Sequence, residues 1–244
     1  MLSRFSIVVC GLLLFTACRP QQSTGDPLAR GPDVNAIVVT EDFISRAVAA
    51  TGGYEAWINT EKFRLDCVVT FYNTDDSFYL TQQHHEIYPW SNSVRISATE
   101  PQGKFTWLLS RDKFTPAKGQ VQYDMRNLLY AVQAITMAPV RFLDGAAEFS
   151  KPSEPIKIQG LWYYPIESLV PAGEPRKIVF YQNRDTSLVD IISFSAEKGP
   201  LLVRGYDYRK VKETGVLLPT RIEVFSTNAA GVIQHRLLKI DYYN

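Results

Sequence analysis

The stretch Phe63-Arg-Leu-Asp-Cys-Val-Val-Thr-Phe71 alternates apolar residues at its odd positions with mostly polar residues at its even positions. Successive side chains of a β-strand point to opposite faces of the sheet. One face of this strand would therefore pack against a core, and the other would face solvent. The stretch predicts an antiparallel sheet with a single buried face.

Similar segments of β-rich composition, separated by turn residues, occupy most of the remaining chain. A sheet this large tends to curl. We expect about ten antiparallel strands in one curved sheet wrapped around a helix. The predicted strands are Lys62–Asn73, Ser77–Tyr88, Ser93–Glu100, Lys104–Arg111, Ile156–Leu169, Arg176–Asn183, Leu188–Ser195, Leu201–Val211, Leu217–Thr227 and Val232–Tyr243.

Helical periodicity precedes the first strand. Glu41–Thr51 predicts a short helix with Thr40 as its N-cap. Gly52 and Gly53 would stop it, since glycine readily takes the left-handed conformation that ends helices. A second helical turn is expected at Tyr54–Ile58.

A longer helix is predicted at Val121–Val140, where Pro139 would mark its end. Its only charged residues before Arg141 are Asp124 and Arg126, so it is apolar on almost every side. Such a helix is enclosed by protein or lies against an apolar ligand. Two interpretations stay open, a helix that lines a lipid cavity with adaptable methionine side chains and an ordinary core helix.

The N-terminal segment carries one charge, Arg4, followed by an apolar run from Phe5 to Phe15 and then Thr-Ala-Cys18. A mature transmembrane helix needs about 20 apolar residues, so the run is too short to be one. The segment resembles a bacterial lipoprotein signal peptide, in which residues 1–17 are removed and Cys18 becomes the acylated, palmitate-bearing first residue. It departs from the usual pattern at Phe15, where Leu is typical. The alternative is an ordinary secretory signal with Cys18 as an incidental thiol.

Residues 19–38 are polar and rich in Pro and Gly, so we interpret 18–38 as a flexible tether and 39–244 as the folded domain. Arg19 stands where many inner-membrane lipoproteins carry Asp, which by that resemblance favours the outer membrane, facing the periplasm. Removing residues 1–17 takes the formal charge from +1 to zero. No basic stripe indicates a nucleic-acid partner.

The chain has three cysteines. Cys10 lies in the signal segment and Cys18 would be acylated, which leaves Cys67 alone in its strand. A reactive or intermolecular thiol is one interpretation of Cys67. The favoured one is a small buried side chain in a sheet, because no His or second Cys is near it in sequence.

Several short motifs flank the strands of the predicted domain. A helix closes on Ala50-Thr-Gly-Gly-Tyr-Glu-Ala-Trp57 and leads directly into the first strand. The C-terminal half carries Ile178-Val-Phe-Tyr181, Tyr206-Asp-Tyr-Arg209, Gly215-Val-Leu-Leu-Pro219-Thr-Arg-Ile222 and Lys239-Ile-Asp-Tyr-Tyr-Asn244. In this layout the chain resembles the Lol-type lipoprotein carrier superfamily, which includes LolA-like and LolB-like proteins, over about residues 41–244. The lipobox distinguishes this chain from LolA and makes it more similar to the lipid-anchored members.

The resemblance implies a mainly β (α+β) fold, an incomplete antiparallel β-barrel of about ten or eleven strands with helices across its open mouth. It also implies an apolar cavity that holds acyl chains. The expected function is therefore a lipid-anchored envelope protein that binds a lipid or a lipoprotein acyl chain, in lipid or lipoprotein sorting. The cavity lining that we predict is Phe71, Trp107, Met125, Leu129, Val132 and Met137.

Catalytic and metal chemistry have weaker signals. His84 and His85 are adjacent, so on a strand they would point to opposite faces and could not easily grip one ion. We expect Thr81–Glu86 to be a solvated polar strand. Ser110 and Ser168 lack a nucleophile elbow, and no Gly-rich phosphate loop follows a strand. Scattered carboxylates such as Glu167, Asp190 and Asp207 are expected to be exposed charges.

We therefore expect neither an enzyme nor a cofactor. The expected partners are the membrane, reached through Cys18, and a lipid or acyl chain. The alternative function is an envelope sensor or scaffold of the same fold, with a filled core and a protein partner.

Overall fold

The structure is a computed structural model, and it describes residues 42–75, 77–101, 103–111, 113–116, 124–143, 148–169, 178–196 and 198–243. The predicted signal peptide, Cys18, the tether at 18–38 and the Thr40 cap lie outside these residues and stay predictions. Within the described ranges, no helix combines the length and the hydropathy needed to cross a membrane.

The described residues form three helices and thirteen strands. The helices are α1 (Asp42–Ala50), α2 (Tyr54–Ile58) and α3 (Met125–Leu143). The strands are β1 (Phe63–Tyr72), β2 (Phe78–Tyr88), β3 (Ser93–Glu100), β4 (Gly103–Ser110), β5 (Lys113–Thr115), β6 (Glu148–Phe149), β7 (Ile156–Ile158), β8 (Leu161–Leu169), β9 (Ile178–Asn183), β10 (Val189–Ala196), β11 (Gly199–Lys210), β12 (Leu217–Thr227) and β13 (Ile233–Tyr242).

The strands form one antiparallel sheet in the order β5-β4-β3-β2-β1-β13-β12-β11-β10-β9-β8-β6, with β7 also paired to β8. The last strand, β13, pairs with the first strand, β1, and this pairing places Cys67 opposite Tyr242. Among the described strands, those at the two ends of this order, β5 and β6, do not pair with each other, so the described sheet is open. The predicted incomplete antiparallel barrel is therefore confirmed.

Three short strands, β5, β6 and β7, bring the number of described strands above the expected ten or eleven. They span only two or three residues each, too few for an alternating pattern to be visible. The prediction of one strand at Ile156–Leu169 is wrong. Gln159 and Gly160 both have positive φ, and this two-residue turn folds the segment into the β7–β8 hairpin.

The sheet curves around α3. This helix packs on β3 and β4 and also on β10, β11 and β12. The strands β2, β1 and β13 lie between those two groups in the sheet order, so both arms of the sheet reach the same helix only if the sheet is bent. We call the face toward α3 the inner face. On β1 it carries the alternating residues that the sequence predicted to be buried, from Phe63 to Phe71.

The helix α3 begins later and ends later than expected. Asp124 caps it, because its carboxylate accepts a hydrogen bond from the Asn127 backbone N–H at 3.1 Å. The prediction that Pro139 ends the helix is wrong, since Pro139 lies inside it and the helix continues to Leu143. Proline removes one helical hydrogen bond. The residues after Pro139 nevertheless stay helical, and Val140 and Phe142 are buried.

The end of α1 confirms the role predicted for the glycine pair. The Gly53 N–H donates to the Val48 carbonyl at 2.9 Å and the Gly52 N–H to the Ala49 carbonyl at 3.2 Å, which is the Schellman arrangement. Gly52 has a φ of +117°, and a Cβ there would lie 2.8 Å from the Gly215 carbonyl oxygen. The glycine thus ends the helix and also lets the β11–β12 turn approach it.

Candidate functional site

The six residues predicted to line a cavity all lie in one hydrophobic cluster between α3 and the inner face. Phe71 on β1 is the most exposed of them at 9%, and Trp107 on β4 is 1% exposed. The four α3 residues, Met125, Leu129, Val132 and Met137, are 3% exposed or less. The structure brings the six residues together as expected, and their contact with a ligand stays a prediction.

The C-terminal end of α3 is held by aromatic contacts. The Phe142 ring meets the rings of Phe149 at 5.0 Å, Phe180 at 5.3 Å and Phe43 at 6.4 Å, all in edge-to-face geometry. Each such pair contributes about 0.5–1.5 kcal/mol beyond the burial of area. These contacts tie α3 to α1 and to the strands β6 and β9.

Nearer the beginning of the helix, Tyr130 makes a tilted contact with Phe194 of β10 at 6.4 Å. In its middle, Gln133 reaches out of the apolar cluster and donates to the Asn92 carbonyl at 2.7 Å. One amide thus positions α3 against the turn that joins β2 and β3.

The prediction of a solvated polar strand at Thr81–Glu86 is wrong for every second residue. Thr81, Gln83 and His85 lie on the inner face and are 6%, 3% and 0% exposed. Their neighbours lie on the outer face, where His84 bonds Asp66 at 2.7 Å. The expected opposite orientation of the two histidines is confirmed. The pairing of β2 with the half-buried strand β1 decides which of these polar residues turn inward.

His85 is the centre of a buried polar cluster. Its Nδ1 lies 2.9 Å from the Tyr242 hydroxyl, and its Nε2 lies 2.9 Å from Gln83 Oε1 and 3.4 Å from Cys67 Sγ. Burial, and secondarily the charge of His84, lower the pKa of His85 to about 3, so the imidazole is neutral at physiological pH. Sequence separation hid this cluster, because strand pairing brings Cys67 opposite both Gln83 and Tyr242.

Cys67 is a free, fully buried cysteine. Burial raises the pKa of its thiol, and the nearby acids Asp66 and Asp241 raise it further. A thiolate is the nucleophilic form of cysteine, so this environment opposes reactivity although a histidine adjoins it. The interpretation of Cys67 as a buried core residue is confirmed.

The remaining candidates for chemistry lie apart from this cluster. The Ser110 hydroxyl bonds Ser93 at 3.0 Å, and Asp207 pairs with Arg221 at 3.3 Å. Asp190 is not the exposed charge that we expected, because burial raises the pKa of its carboxyl to about 6, against the opposing effect of Arg204. Among the described residues, no three His, Cys, Asp or Glu side chains come together as a metal site would require.

Large apolar side chains are exposed at the ends of two neighbouring hairpins. In the β1–β2 hairpin, Phe78 and Leu80 are 62% and 53% exposed. In the β12–β13 hairpin, Val232 is 56% exposed. The pairing of β1 with β13 places these hairpins side by side in the sheet.

No family model matches the chain, and no curated protein sequence matches it. Solved structures with a similar fold include a LolA superfamily protein from Nitrosomonas europaea, 13% identical, with a TM-score of 0.49 over 83% of this chain and 90% of that one. A domain from Vibrio parahaemolyticus named for outer membrane lipoprotein sorting is 10% identical, with a TM-score of 0.40 over 74% of this chain and 83% of that one.

A third similar structure is a chain of the MucA/MucB complex from Pseudomonas aeruginosa. It is 10% identical, with a TM-score of 0.25 over 82% of this chain and 92% of that one. All three TM-scores are below 0.5, so these similarities alone assign no superfamily to the chain. At such low identity the likeness concerns the path of the chain, and it transfers neither a ligand nor a partner.

Proposed function

We propose that this chain is an envelope protein, anchored through Cys18, that binds a lipid or a lipoprotein acyl chain between α3 and the inner face of the sheet. The observation that carries the proposal is the setting of α3. Fifteen of its nineteen residues are buried, and the sheet that surrounds it is open rather than closed. An acyl chain could replace the helix–sheet contacts, since each buried methylene contributes about 0.8 kcal/mol.

Binding requires that the interior rearrange. Because the six lining side chains are 9% exposed or less, an acyl chain enters only when α3 shifts away from the sheet or its side chains change rotamer. Met125 and Met137 have the most freedom to do so, since methionine is unbranched and fills irregular spaces. Pro139 adds a local weakness, because it offers no N–H to the Ile135 carbonyl.

We propose binding without catalysis. The polar groups that reach the inner face are in states that suit hydrogen bonding better than nucleophilic attack. Cys67 is held as a thiol and His85 as a neutral imidazole. A hydrolase would need an activated nucleophile beside its base.

The test is native mass spectrometry of the mature protein after gentle extraction, followed by titration with a fluorescent acyl probe. We expect a co-purified lipid and saturable binding of the probe. Ala138→Met, which overfills the buried side of α3, should weaken probe binding several-fold, because added methylenes in a packed core cost about 1–3 kcal/mol. Ala229→Met, the same change at an exposed turn, is the matched control. Absence of both a lipid and probe binding would end the proposal.

A protein-binding scaffold with a filled core is the second candidate. Phe78, Leu80 and Val232 favour it, because large apolar side chains exposed on neighbouring hairpins are typical of interaction sites. A stoichiometric partner that is lost in Phe78→Lys and Leu80→Lys, together with a lipid-free interior, would establish it. Retention of the partner in both variants would exclude this surface.

A further inference from the structure

The inner face of β2 carries a stripe of polar side chains that runs from its exposed end into the core. Tyr79 and Thr81 bond the two carboxylate oxygens of Glu100 on β3, the second at 2.6 Å. Further along the strand come Gln83 and His85, with 3% and 0% exposure. Everything beside this stripe on β1 is apolar or Cys67. Buried polar groups in proteins are nearly always hydrogen-bonded, so each polar atom of this stripe is expected to have a partner.

The hydrogen bonds around His85 fix the direction of each donor. The Tyr242 hydroxyl keeps its proton, because burial raises its pKa well above the ordinary value, and it donates to His85 Nδ1 at 2.9 Å. The neutral imidazole then carries its proton on Nε2 and donates to Gln83 Oε1 at 2.9 Å. The Cys67 thiol donates to the backbone carbonyl oxygen of Gln83 at 3.7 Å. Among the side-chain polar atoms of Tyr242, His85, Cys67 and Gln83, all but one have a partner.

That one is the Gln83 amide nitrogen, which is buried and has no hydrogen-bond acceptor. A 180° rotation of the amide does not remove the problem. His85 Nε2 would then have to accept, and its proton would move to Nδ1, which would donate to the Tyr242 oxygen. The Tyr242 O–H would then lack an acceptor, and Gln83 Oε1 would lack a donor. An unsatisfied buried polar group costs about 1–3 kcal/mol. The observed orientation therefore leaves the fewest orphaned groups, and the one it leaves is a donor.

Space and charge restrict what could accept this hydrogen bond. The residues that face Gln83 across the sheet are Cys67 on β1 and Ala98 on β3, both small. The nearest charged group on the stripe is the Glu100 carboxylate, which would repel a second carboxylate. Gln83 and His85 are neutral. A neutral carbonyl oxygen fits this environment, whereas a free fatty-acid carboxylate does not.

We propose that the Gln83 side-chain amide donates a hydrogen bond to the carbonyl oxygen of a neutral acyl ester or acyl amide, whose hydrocarbon chain lies between α3 and the sheet. This inference rests on the proposed function, because it names the polar part of the same ligand. The stripe makes β2 the strand along which the ligand's polar end is held.

The experiment compares two lipids on the full chain by calorimetric titration. One is a short-chain diacyl phosphatidylcholine, and the other is its dialkyl ether analogue, which has the same chains and headgroup but no carbonyl. We expect the wild-type protein to bind the diester about three- to tenfold more tightly than the diether, which is the yield of one neutral hydrogen bond. Gln83→Leu should bind both lipids equally. Gln82→Leu, the same change one residue along on the outer face, should keep the preference.

An N-acyl amide of equal chain length tests whether the carbonyl comes from an amide rather than an ester. Weaker binding of this amide by Gln83→Leu than by the wild-type protein supports the proposal in the same way. Equal binding of diester and diether by the wild-type protein would overturn the inference while leaving acyl binding intact. An equal loss for both lipids in Gln83→Leu would overturn it as well, because such a loss is structural. If neither lipid binds, the proposed function itself fails. The wild-type comparison decides even if Gln83→Leu does not fold.

Discussion

The buried imidazole of His85 makes a prediction about acid stability. The folded protein resists protonation of His85 until about pH 3, because burial lowers its pKa to that value, whereas the unfolded chain takes up the proton near its ordinary pKa of about 6.5. Between these two pH values the unfolded state binds more protons. The stability therefore falls as the pH falls from 6.5 toward 3. Each pKa unit corresponds to about 1.4 kcal/mol, so the loss between pH 7 and pH 4.5 is about 3 kcal/mol.

The perturbation is His85→Gln, which keeps a donor for Gln83 Oε1 but does not titrate. Its free energy of unfolding and that of the wild-type protein are measured by urea denaturation, followed by tryptophan fluorescence, at intervals from pH 8 to pH 4.5. The variant should be less stable at pH 7, because it leaves a cavity, yet lose about 3 kcal/mol less on acidification. All other titrating groups are shared, so the difference isolates His85. Parallel losses in the two proteins would refute a buried neutral imidazole.

Three further predictions concern other positions. Gly52→Ala should destabilise the protein by about 2 kcal/mol or more, because the position has a positive φ and its Cβ would meet the Gly215 carbonyl at 2.8 Å. The control is Gly231→Ala, which also has a positive φ but nothing within 4 Å of its Cβ, and it should cost less. Equal urea midpoints for the two variants would contradict this prediction. Cys67 should resist a maleimide in the native protein and react only after unfolding, so rapid labelling at pH 8 would show that the thiol is accessible. The stability of Asp190→Asn relative to wild type should rise by about 2 kcal/mol as the pH is raised from 4 to 7. The raised pKa of Asp190 stabilises the wild-type protein at low pH, and this stabilisation is lost as the pH rises through about 6. A stability difference that does not change with pH would place the carboxyl in solvent.

The regular parts of the fold could be predicted because their hydrophobic patterns extend over many residues. The β1 pattern extends over enough residues to fix both the strand and its buried face, and β3 and β12 have the predicted bounds. The short strands β5, β6 and β7 carry no such pattern. At Pro139, tertiary packing overrides the local rule that proline ends a helix. The residues on either side of Pro139 are buried, and their packing stabilises the helix through it.

The candidate site divides in the same way. The apolar lining could be predicted, because α3 is apolar on almost every side and has to be enclosed. The polar stripe could not, since nothing within Thr81–Glu86 distinguishes inward residues from outward ones. That choice comes from the register with β1, which places His85 opposite Leu65. The register depends on the whole sheet, so Cys67 and His85 meet although they are distant in sequence.

The central claim, that an acyl chain lies between α3 and the inner face, is tested most directly by photo-crosslinking. An acyl lipid with a diazirine at the end of its chain is bound to the protein, irradiated, and its attachment sites are mapped by mass spectrometry. We expect attachment to the buried lining, at residues such as Trp107, Leu129 and Met137. Attachment confined to the exposed Phe78, Leu80 and Val232 would show a surface contact only and would contradict the claim.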